Sequence, residues 1–471
     1  MKIHVLSLGC ARTLVDSEGL AGILARAGHS ISSTVDQAEC VVINTCAFIR
    51  EAEEESIGTI LEVADLKRSG RLRKLYVAGC LPQKRRQERD DLLKLLPEVD
   101  GFLGPGDLPK LPELIERQEK TVHPEPTVHG STGSPRTVES KDVSKRFFVT
   151  SPVPTLLFDS KTPRHRLTPR HYAYLKISEG CDHACTFCSI PQFRGAHRSR
   201  SMEDLVEEAA QCASQGVVEL NLIGQDTSYY GADRYGRPRL PELLKKLSGV
   251  EGIRWLRLLY AHPAHVTDEL IREIRENSKV VKYIDIPLQH INDSLLSSMR
   301  RETDGAWIRR LIGKFRAEIP GIAIRTTFIV GFPGETEAHV DELARFLEEE
   351  RFERVGIFPY SPEPKTPSEK LPDQVPEEIK KERMGRLMRL QQEISEQMNR
   401  QWLGKNLEVL VDEPGSEPNS YLGRSYADAP EVDGQVFLKG TRPLKSGEFV
   451  QADVIDTYEY DLVAEMGGHS S

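Results

Sequence analysis

The chain has 471 residues and carries 63 Lys and Arg against 72 Asp and Glu, a net charge of −9. That length suits about three domains, and a 38% hydrophobic content with mixed charge fits a soluble globular protein. No segment reaches the roughly 18 apolar residues of a membrane span, so no membrane partner is expected. The opening MKIHVLSLGCARTLVDSEG reads as a strand and a polar helix rather than a signal peptide, since Asp16 and Glu18 cut its apolar run short. Eight clustered cysteines fit metal binding in a reducing compartment better than a disulfide framework, so a cytoplasmic protein is expected.

Residues 1 to 118 alternate strand and helix. Runs rich in Val, Ile and Leu predict strands at Ile3–Leu8, Cys40–Asn44 and Lys74–Ala78, followed by helical patterns at Leu14–Ala27, Ile49–Asp65 and Gln83–Leu96. Repeated βα units predict a doubly wound parallel sheet in a first domain over 1–120. Cys10, Cys46 and Cys80 each follow the C-terminal end of one of these strands. Those ends share one edge of an open α/β sheet, where ligands bind. Three thiols distant in sequence are therefore expected to meet. Each alone reads as a small buried hydrophobe; three in the same structural phase point to a metal cluster with one position left open. Cys40 begins its strand, at the wrong end to join them, and reads as core. Residues 121–168 hold six Pro and fourteen Ser or Thr, a linker composition. Two apolar islands in it, Arg146–Val149 and Thr155–Phe158, are able to dock on a neighbour.

Residues 169 to about 370 predict six βα units. Strands are expected at Tyr172–Ser178, Val217–Ile223, Arg254–Tyr260, Val281–Pro287, Ile322–Val330 and Arg354–Phe358, and helices at Met202–Gln215, Val266–Asn277, Asp304–Glu318 and Glu335–Glu350. Six such repeats predict a partial (βα)6 barrel with its site at the C-terminal ends of the strands. The first strand runs into SEGCDHACTFCSIPQFRG, Ser178 to Gly195. Its C-x3-C-x2-C spacing supplies Cys181, Cys185 and Cys188, with Phe187 just before the last. Three thiolates this close can hold three irons of a 4Fe-4S cube and leave the fourth open to a small chelating molecule. Zinc is an alternative, since His183 lies inside the loop and zinc usually takes four protein ligands; idle core thiols are another. Other strand ends carry Gln225 and Asp226, His262, Gln289 and His290, and Glu335, any of which also suits ordinary loop or helix capping. Arg194, Arg198 and Arg200 form a basic run that suits either an anionic ligand or a solvated face. Cys212 lies in an amphipathic helix and reads as core.

A helix is predicted from Pro376 to Trp402, with Leu387, Leu390, Ile394, Met398 and Trp402 on one face that packs on the barrel. It closes a domain over 169–403. Strands at Leu407–Asp412, Tyr421–Ser425, Gln435–Lys439 and Phe449–Thr457 then predict a small antiparallel β-barrel over 404–471. From Lys405 onward five Lys and Arg face thirteen Asp and Glu, a net of −8, so the last barrel holds nearly all the excess negative charge.

The cysteine loop resembles the signature of the radical S-adenosylmethionine (SAM) superfamily. SAM there chelates the open iron and is split reductively to methionine and a 5'-deoxyadenosyl radical. SLGC-x3-LVDSE, VINTCAFIREAEEESI and VAGCLPQ are similar to the N-terminal domain of methylthiotransferases, the MiaB-like and RimO-like families. The resemblance implies that Cys10, Cys46 and Cys80 bind an auxiliary 4Fe-4S cluster, while Cys181, Cys185 and Cys188 bind the cluster that cleaves SAM. Arg12-Thr13 departs from the usual Lys-Asn and leaves the ligand set intact. IGQDTSYYG, PLQHIND and RTTFIVGFPGE also look like this family, which makes Gln225, Asp226, Gln289 and His290 candidate SAM contacts. The last barrel resembles a TRAM domain, and GRSYADAPEVDG resembles the RimO-like branch. That branch implies methylthiolation of an aspartate β-carbon in a basic small-subunit ribosomal protein, number twelve, with an external electron donor and sulfur source. An acidic barrel suits a basic protein and repels phosphates, so direct nucleic-acid binding is not expected. The alternatives are tRNA adenosine methylthiolation by the MiaB-like branch, a non-catalytic iron-sulfur carrier, and a structural zinc protein.

Overall fold

The structure is a computed structural model describing residues 1–122 and 146–467. It divides into two compact units, one of residues 1–167 with 192–195 and one of residues 168–191 with 196–471.

The first unit is built on six parallel strands, β1 (Lys2–Ser7), β2 (Ser30–Ser32), β3 (Cys40–Thr45), β4 (Lys74–Gly79), β5 (Gly101–Leu103) and β6 (Phe147–Val149), in the order β2-β1-β3-β4-β5-β6. The chain winds outward from β1 in one direction and from β3 in the other, so the switch point lies between those two strands. The three longest strands are the ones the apolar runs predict. The three-residue strands β2, β5 and β6 are too short to show a period. Ile3, Val5, Val42, Tyr76 and Ala78 form the core with Leu20 and Leu24 of the helix Ala11–Arg26. Cys40 is fully buried among them, and burial pushes its thiol up.

Part of the predicted linker, residues 123–145, lies outside the described residues. The part from 146 onward is not a linker, because both apolar islands dock. Arg146 donates to the carbonyls of Leu93, Leu96 and Val99 at 2.7–2.9 Å, and the Phe147 ring stacks on Tyr76. Leu156 and Phe158 pack on the core, and Arg164 donates to the buried Glu18 at 2.7 Å. Both islands were visible as apolar runs within a polar composition, whereas the Arg146 and Arg164 hydrogen bonds beside them carried no local signal.

The second unit opens with β7 (Tyr172–Lys176) and a two-stranded antiparallel pair, β8 (Ser178–Glu179) and β9 (Arg198–Ser199). Five further strands, β10 (Glu219–Ile223), β11 (Trp255–Leu258), β12 (Val280–Asp285), β13 (Ala323–Val330) and β14 (Arg354–Pro359), follow β7 in one parallel sheet in chain order. This is the expected partial (βα)6 barrel. A helix at Leu240–Ser248 adds to the expected ones. The helix Glu377–Arg400 buries Leu387 and Ile394 against the barrel core, while Trp402 beyond its end packs on the last domain instead.

That last domain is a closed barrel of β15 (Asn406–Pro414), β16 (Ser420–Arg424), β17 (Val436–Lys439), β18 (Phe449–Thr457) and β19 (Leu462–Glu465), ordered β15-β16-β17-β19-β18. It has one strand more than expected, and the β17–β19 pair is parallel. The GRSYADAPEVDG run does not present its charges to solvent alone. Arg424 pairs with the fully buried Glu219 at 2.8 Å and with Asp412 at 2.8 Å; Glu219 also pairs with the buried Arg257 at 2.9 Å. Asp428 pairs with Arg354, Asp433 accepts from Tyr283 at 2.7 Å, and Glu431 accepts from Tyr172 at 2.8 Å. Tyr172, Glu219 and Arg354 each begin their strand. The run thus closes the N-terminal end of the (βα) barrel, opposite the end where such barrels carry their sites.

Removing one partner of a desolvated ion group costs about 3–5 kcal/mol, because the other charge stays buried. Glu219→Gln should therefore lower the thermal unfolding midpoint at neutral pH. Burial alone would raise the Glu219 carboxyl, but Arg424 and Arg257 hold it below its ordinary 4.5. Its contribution is complete above pH 4.5 and is lost as acid takes the pH down through the depressed value. The gap between variant and wild type should close on that acid side, as thermal scans at several pH values will measure.

Candidate active site

In the first unit, register brings the thiols together. Ser7 pairs with Asn44, Asn44 with Ala78, and Thr45 with Gly79. Neighbouring strands lie about 4.8 Å apart, so the residues just past these pairs, Cys46 and Cys80, leave the sheet side by side. Cys10 follows β1 across the switch point. Two glycines make the turns possible. Gly9 has φ +92 and a Cβ there would lie 2.5 Å from Cys46 Cβ; Gly79 has φ +94 and would collide with Asn44 Oδ1 at 2.3 Å.

The thiols feel one another. Burial first, then Cys80 and Cys10, push the Cys46 thiol up to about 12, and burial also raises Cys80. For Cys10 burial is outweighed by the Arg12 charge, the Thr13 backbone N–H and Arg194, which bring it down to about 6. The Arg12-Thr13 departure thus keeps polar support at the first cysteine, with the Thr13 hydroxyl 3.7 Å from its sulfur. Asn44 locks the turn by donating to the Thr13 carbonyl at 3.1 Å.

In the second unit, the β8–β9 pair closes the base of the cysteine loop. Its middle is pinned by Thr186, whose N–H and hydroxyl donate to Met299 and Ser298 and whose carbonyl accepts from Ser368 N and Oγ at 3.0 Å. Phe187 packs into an apolar group of Leu295, Met299, Phe332 and Tyr360. Burial first, and then Cys185, push the Cys181 thiol up to about 12. Arg301 donates to Cys185 Sγ at 3.5 Å.

His183 does not complete a zinc set with these sulfurs. Its Nε2 lies 2.9 Å from Asp226 and its Nδ1 2.9 Å from Glu302. Among the described residues, the close group of ligating atoms, all within 4.8 Å, is His183, Asp226, His262 and His265, with no cysteine in it. One tetrahedral zinc needs donors about 4 Å apart, whereas a 4Fe-4S cube gives each thiolate its own iron. With His183 engaged elsewhere, three thiolates and no fourth protein donor suit the cube rather than zinc. The histidine group is itself a poor metal cage. Tyr229, His265, His183 and His262 stack at centroid separations of 4.4, 5.0 and 4.1 Å, with the last pair 14° from parallel. Imidazole lone pairs lie in the ring plane, so two stacked rings cannot both aim at one ion.

The remaining sequence candidates separate cleanly. Asp226 is buried and held as a carboxylate, since His183 and His265 outweigh its burial; it also accepts from Ser228, Tyr229 N and His262 N. Gln225 donates to Glu179 at 2.5 Å, and Glu179 pairs with Lys176 at 2.8 Å. Gln289 takes a positive φ of 74 beyond the end of β12, where it bridges to Phe328. His290 accepts from Asn292 N through Nδ1 and faces Glu335, whose carboxylate accepts from Gly331 N at 2.6 Å and from Arg383 at 2.8 Å. Glu335 therefore ties a strand end to the long helix and does not start the next one. Two arginines of the basic run are not on a solvated face: Arg200 is buried on Asp204 and Glu208, and Arg194 is buried in the first unit, while the half-buried Arg198 donates to the Ala196 carbonyl at 2.6 Å.

Several buried polar atoms of the barrel have no partner among the described residues: Ser178 Oγ, the Asn221 amide, Gln225 Oε1, His262 Nε2 and Arg301 Nε. Leaving such groups unmatched costs about 1–3 kcal/mol each, so they fit a polar ligand such as SAM. His262 Nδ1 accepts from Ala264 N at 3.3 Å, which leaves its Nε2 as a donor. Burial, Arg301 and His183 hold that ring neutral, pushed down to about 2. The sequence reading missed His265, Arg301 and Glu302. His265 had a signal, three residues after His262; the arginine and glutamate had none.

Comparison with known proteins agrees with this geometry. Residues 175–347 match the radical SAM superfamily, residues 2–104 an uncharacterized protein family, UPF0004, and residues 403–466 the TRAM domain. The chain is 47% identical over 465 residues, 99% of its length and 95% of the relative, to ribosomal protein uS12 methylthiotransferase RimO of Heliobacterium modesticaldum. It is 46% identical to the protein of that name from Thermoanaerobacter sp. strain X514, covering 98% of this chain and 99% of the relative. Among solved structures, the radical SAM methyltransferase TsrM from Kitasatospora setae shares the fold, with a TM-score of 0.53, 16% identity, and coverage of 92% of this chain and 80% of that one. With near-complete coverage by such relatives, the chain belongs to the RimO family of radical SAM methylthiotransferases.

Proposed function

We propose that this protein adds a methylthio group to the β-carbon of an aspartate in ribosomal protein uS12, in the cytoplasm. The observation that carries the reading is the pair of separate cysteine triads in a chain similar to the RimO relatives over 99% of its length. In this reading Cys10, Cys46 and Cys80 hold one 4Fe-4S cluster, and Cys181, Cys185 and Cys188 hold another with SAM. When bound, these groups would relay an electron from an external reductant, form the hydrogen-abstracting radical, and deliver the sulfur and the methyl that an unactivated carbon–hydrogen bond requires.

The chain's own residues hold and orient. Thr186 and Phe187 fix the cysteine loop, and Arg301 fixes Cys185 Sγ. His262 Nε2 and Arg301 Nε offer buried donors to a carboxylate, a group that SAM and the target aspartate both carry. The carboxylate of Asp226 keeps His183 and His265 in place and is spent on doing so. An external reductant and sulfur source complete the reaction. The acidic surface that suits a basic protein is narrower than composition implies. With Asp412, Asp428 and Asp433 engaged inward, it rests on the exposed Glu413, Glu417, Glu431, Asp453, Asp456 and Glu459.

Replacing all of Cys181, Cys185 and Cys188 by Ala should lower iron from about eight to about four per chain and abolish SAM cleavage. Replacing Cys10, Cys46 and Cys80 should lower iron equally but retain SAM cleavage while methylthiolation is lost. Iron analysis and 5'-deoxyadenosine release measure both. In an anaerobic assay with SAM, sulfide and a reductant, mass spectrometry should find SCH3 in place of hydrogen on uS12 and none on anticodon-arm tRNA. Modification of tRNA alone would overturn the substrate assignment.

A further inference from the structure

Two runs of the sequence, LVDSE and QFRG, acquire a joint meaning in the first unit. Arg194 is 4% exposed. Its Nη1 donates to Asp16 Oδ2 at 2.7 Å and its Nη2 donates to Cys80 Sγ at 3.3 Å. Asp16 is 5% exposed and sits in the helix that starts just after Cys10. The guanidinium charge also bears on Cys10 and Cys46. A buried ion pair that served only to fasten a loop would not need its second N–H on a sulfur. The other triad repeats the device, with Arg301 on Cys185 Sγ at 3.5 Å. A desolvated guanidinium keeps nearly its full field, because no water screens it.

We propose that Arg194, oriented by Asp16, is a positioning residue for the auxiliary cluster: its hydrogen bond to Cys80 fixes that sulfur, and its buried charge raises the cluster's reduction potential. This rests on the reading that Cys10, Cys46 and Cys80 hold a cluster. Hydrogen bonds to cluster sulfurs and nearby positive charge stabilise the reduced, more negative form. Asp16 opposes that effect while holding the arginine in place. The two residues therefore act on the potential with opposite sign, which a purely structural pair would not do.

The test uses the full-length chain with Cys181, Cys185 and Cys188 replaced by Ala, reconstituted anaerobically so that the auxiliary cluster is the one measured. If this background binds no iron, the ligand reading itself fails. If it binds about four irons, spectroelectrochemical titration and electron paramagnetic resonance of the reduced cluster are compared among variants. Arg194→Met is expected to lower the midpoint potential and alter the resonance. Arg194→Lys, which keeps the charge but cannot fork to both partners, is expected to fall between. Asp16→Asn, which still accepts a hydrogen bond, is expected to raise the midpoint. Should Arg194→Met fail to assemble a cluster, Arg194→Lys and Asp16→Asn decide by their opposite shifts. Unchanged potentials at full iron content, or shifts of the same sign in the arginine and aspartate variants, would overturn the proposal.

Discussion

Parallel, in-register strand pairing is the constraint on which the first unit's chemistry depends. A parallel ladder places equivalent backbone positions side by side, and every strand then ends at the same edge. Thr45 opposite Gly79 leaves Cys46 and Cys80 as neighbours. A slip of one residue would turn every side chain of a strand to the opposite face, and the thiols would part. The glycines before Cys10 and Cys80 belong to the same constraint. Their positive φ lets the chain turn at once after the strand, and their missing side chains leave room for Cys46 and Asn44. Sulfur position is thus written in backbone geometry before any iron is considered.

The second unit solves its problem differently. Its barrel has a working end and a sealed end, and charge does the sealing. Glu219, Arg257 and Arg424 lie in the interior, where an unpaired charge would be prohibitive and a satisfied group is merely neutral. Such a group gives register more than energy: Arg424 reaches Glu219 and Asp412 together only in one placement of the last barrel. The same economy explains why the acidic run after Arg424 is a plug rather than a docking face, since its aspartates meet Arg354 and Arg325.

At the working end polarity is arranged rather than neutralised. Asp226 holds His183 and His265, and the stacked rings shield that pair of hydrogen bonds from water. His262, at the inner end of the stack, stays neutral and offers its Nε2 hydrogen inward. The outcome is a hydrogen-bonded, stacked wall that includes His183 of the cysteine loop and carries oriented donors. Fixed orientation suits chemistry in which a reactive radical must meet one carbon–hydrogen bond and nothing else.

The sequence by itself determined a good deal. Its βα rhythm gave the parallel sheet and the six-unit barrel, because apolar runs of five or more residues are local signals. Its C-x3-C-x2-C loop and three phase-matched cysteines gave both triads, since spacing and strand ends are also local. Only the tertiary structure decided what the charges do. Arg194 lies 178 residues along the chain from Asp16 and 114 from Cys80, and no pattern within a window joins them. The strands β2 and β5, the surfaces on which the two apolar islands of 146–158 dock and the inward turn of Asp428 and Asp433 were hidden for the same reason. Each depends on a partner far away in sequence, and a composition cannot say whether a charge faces water or another buried charge.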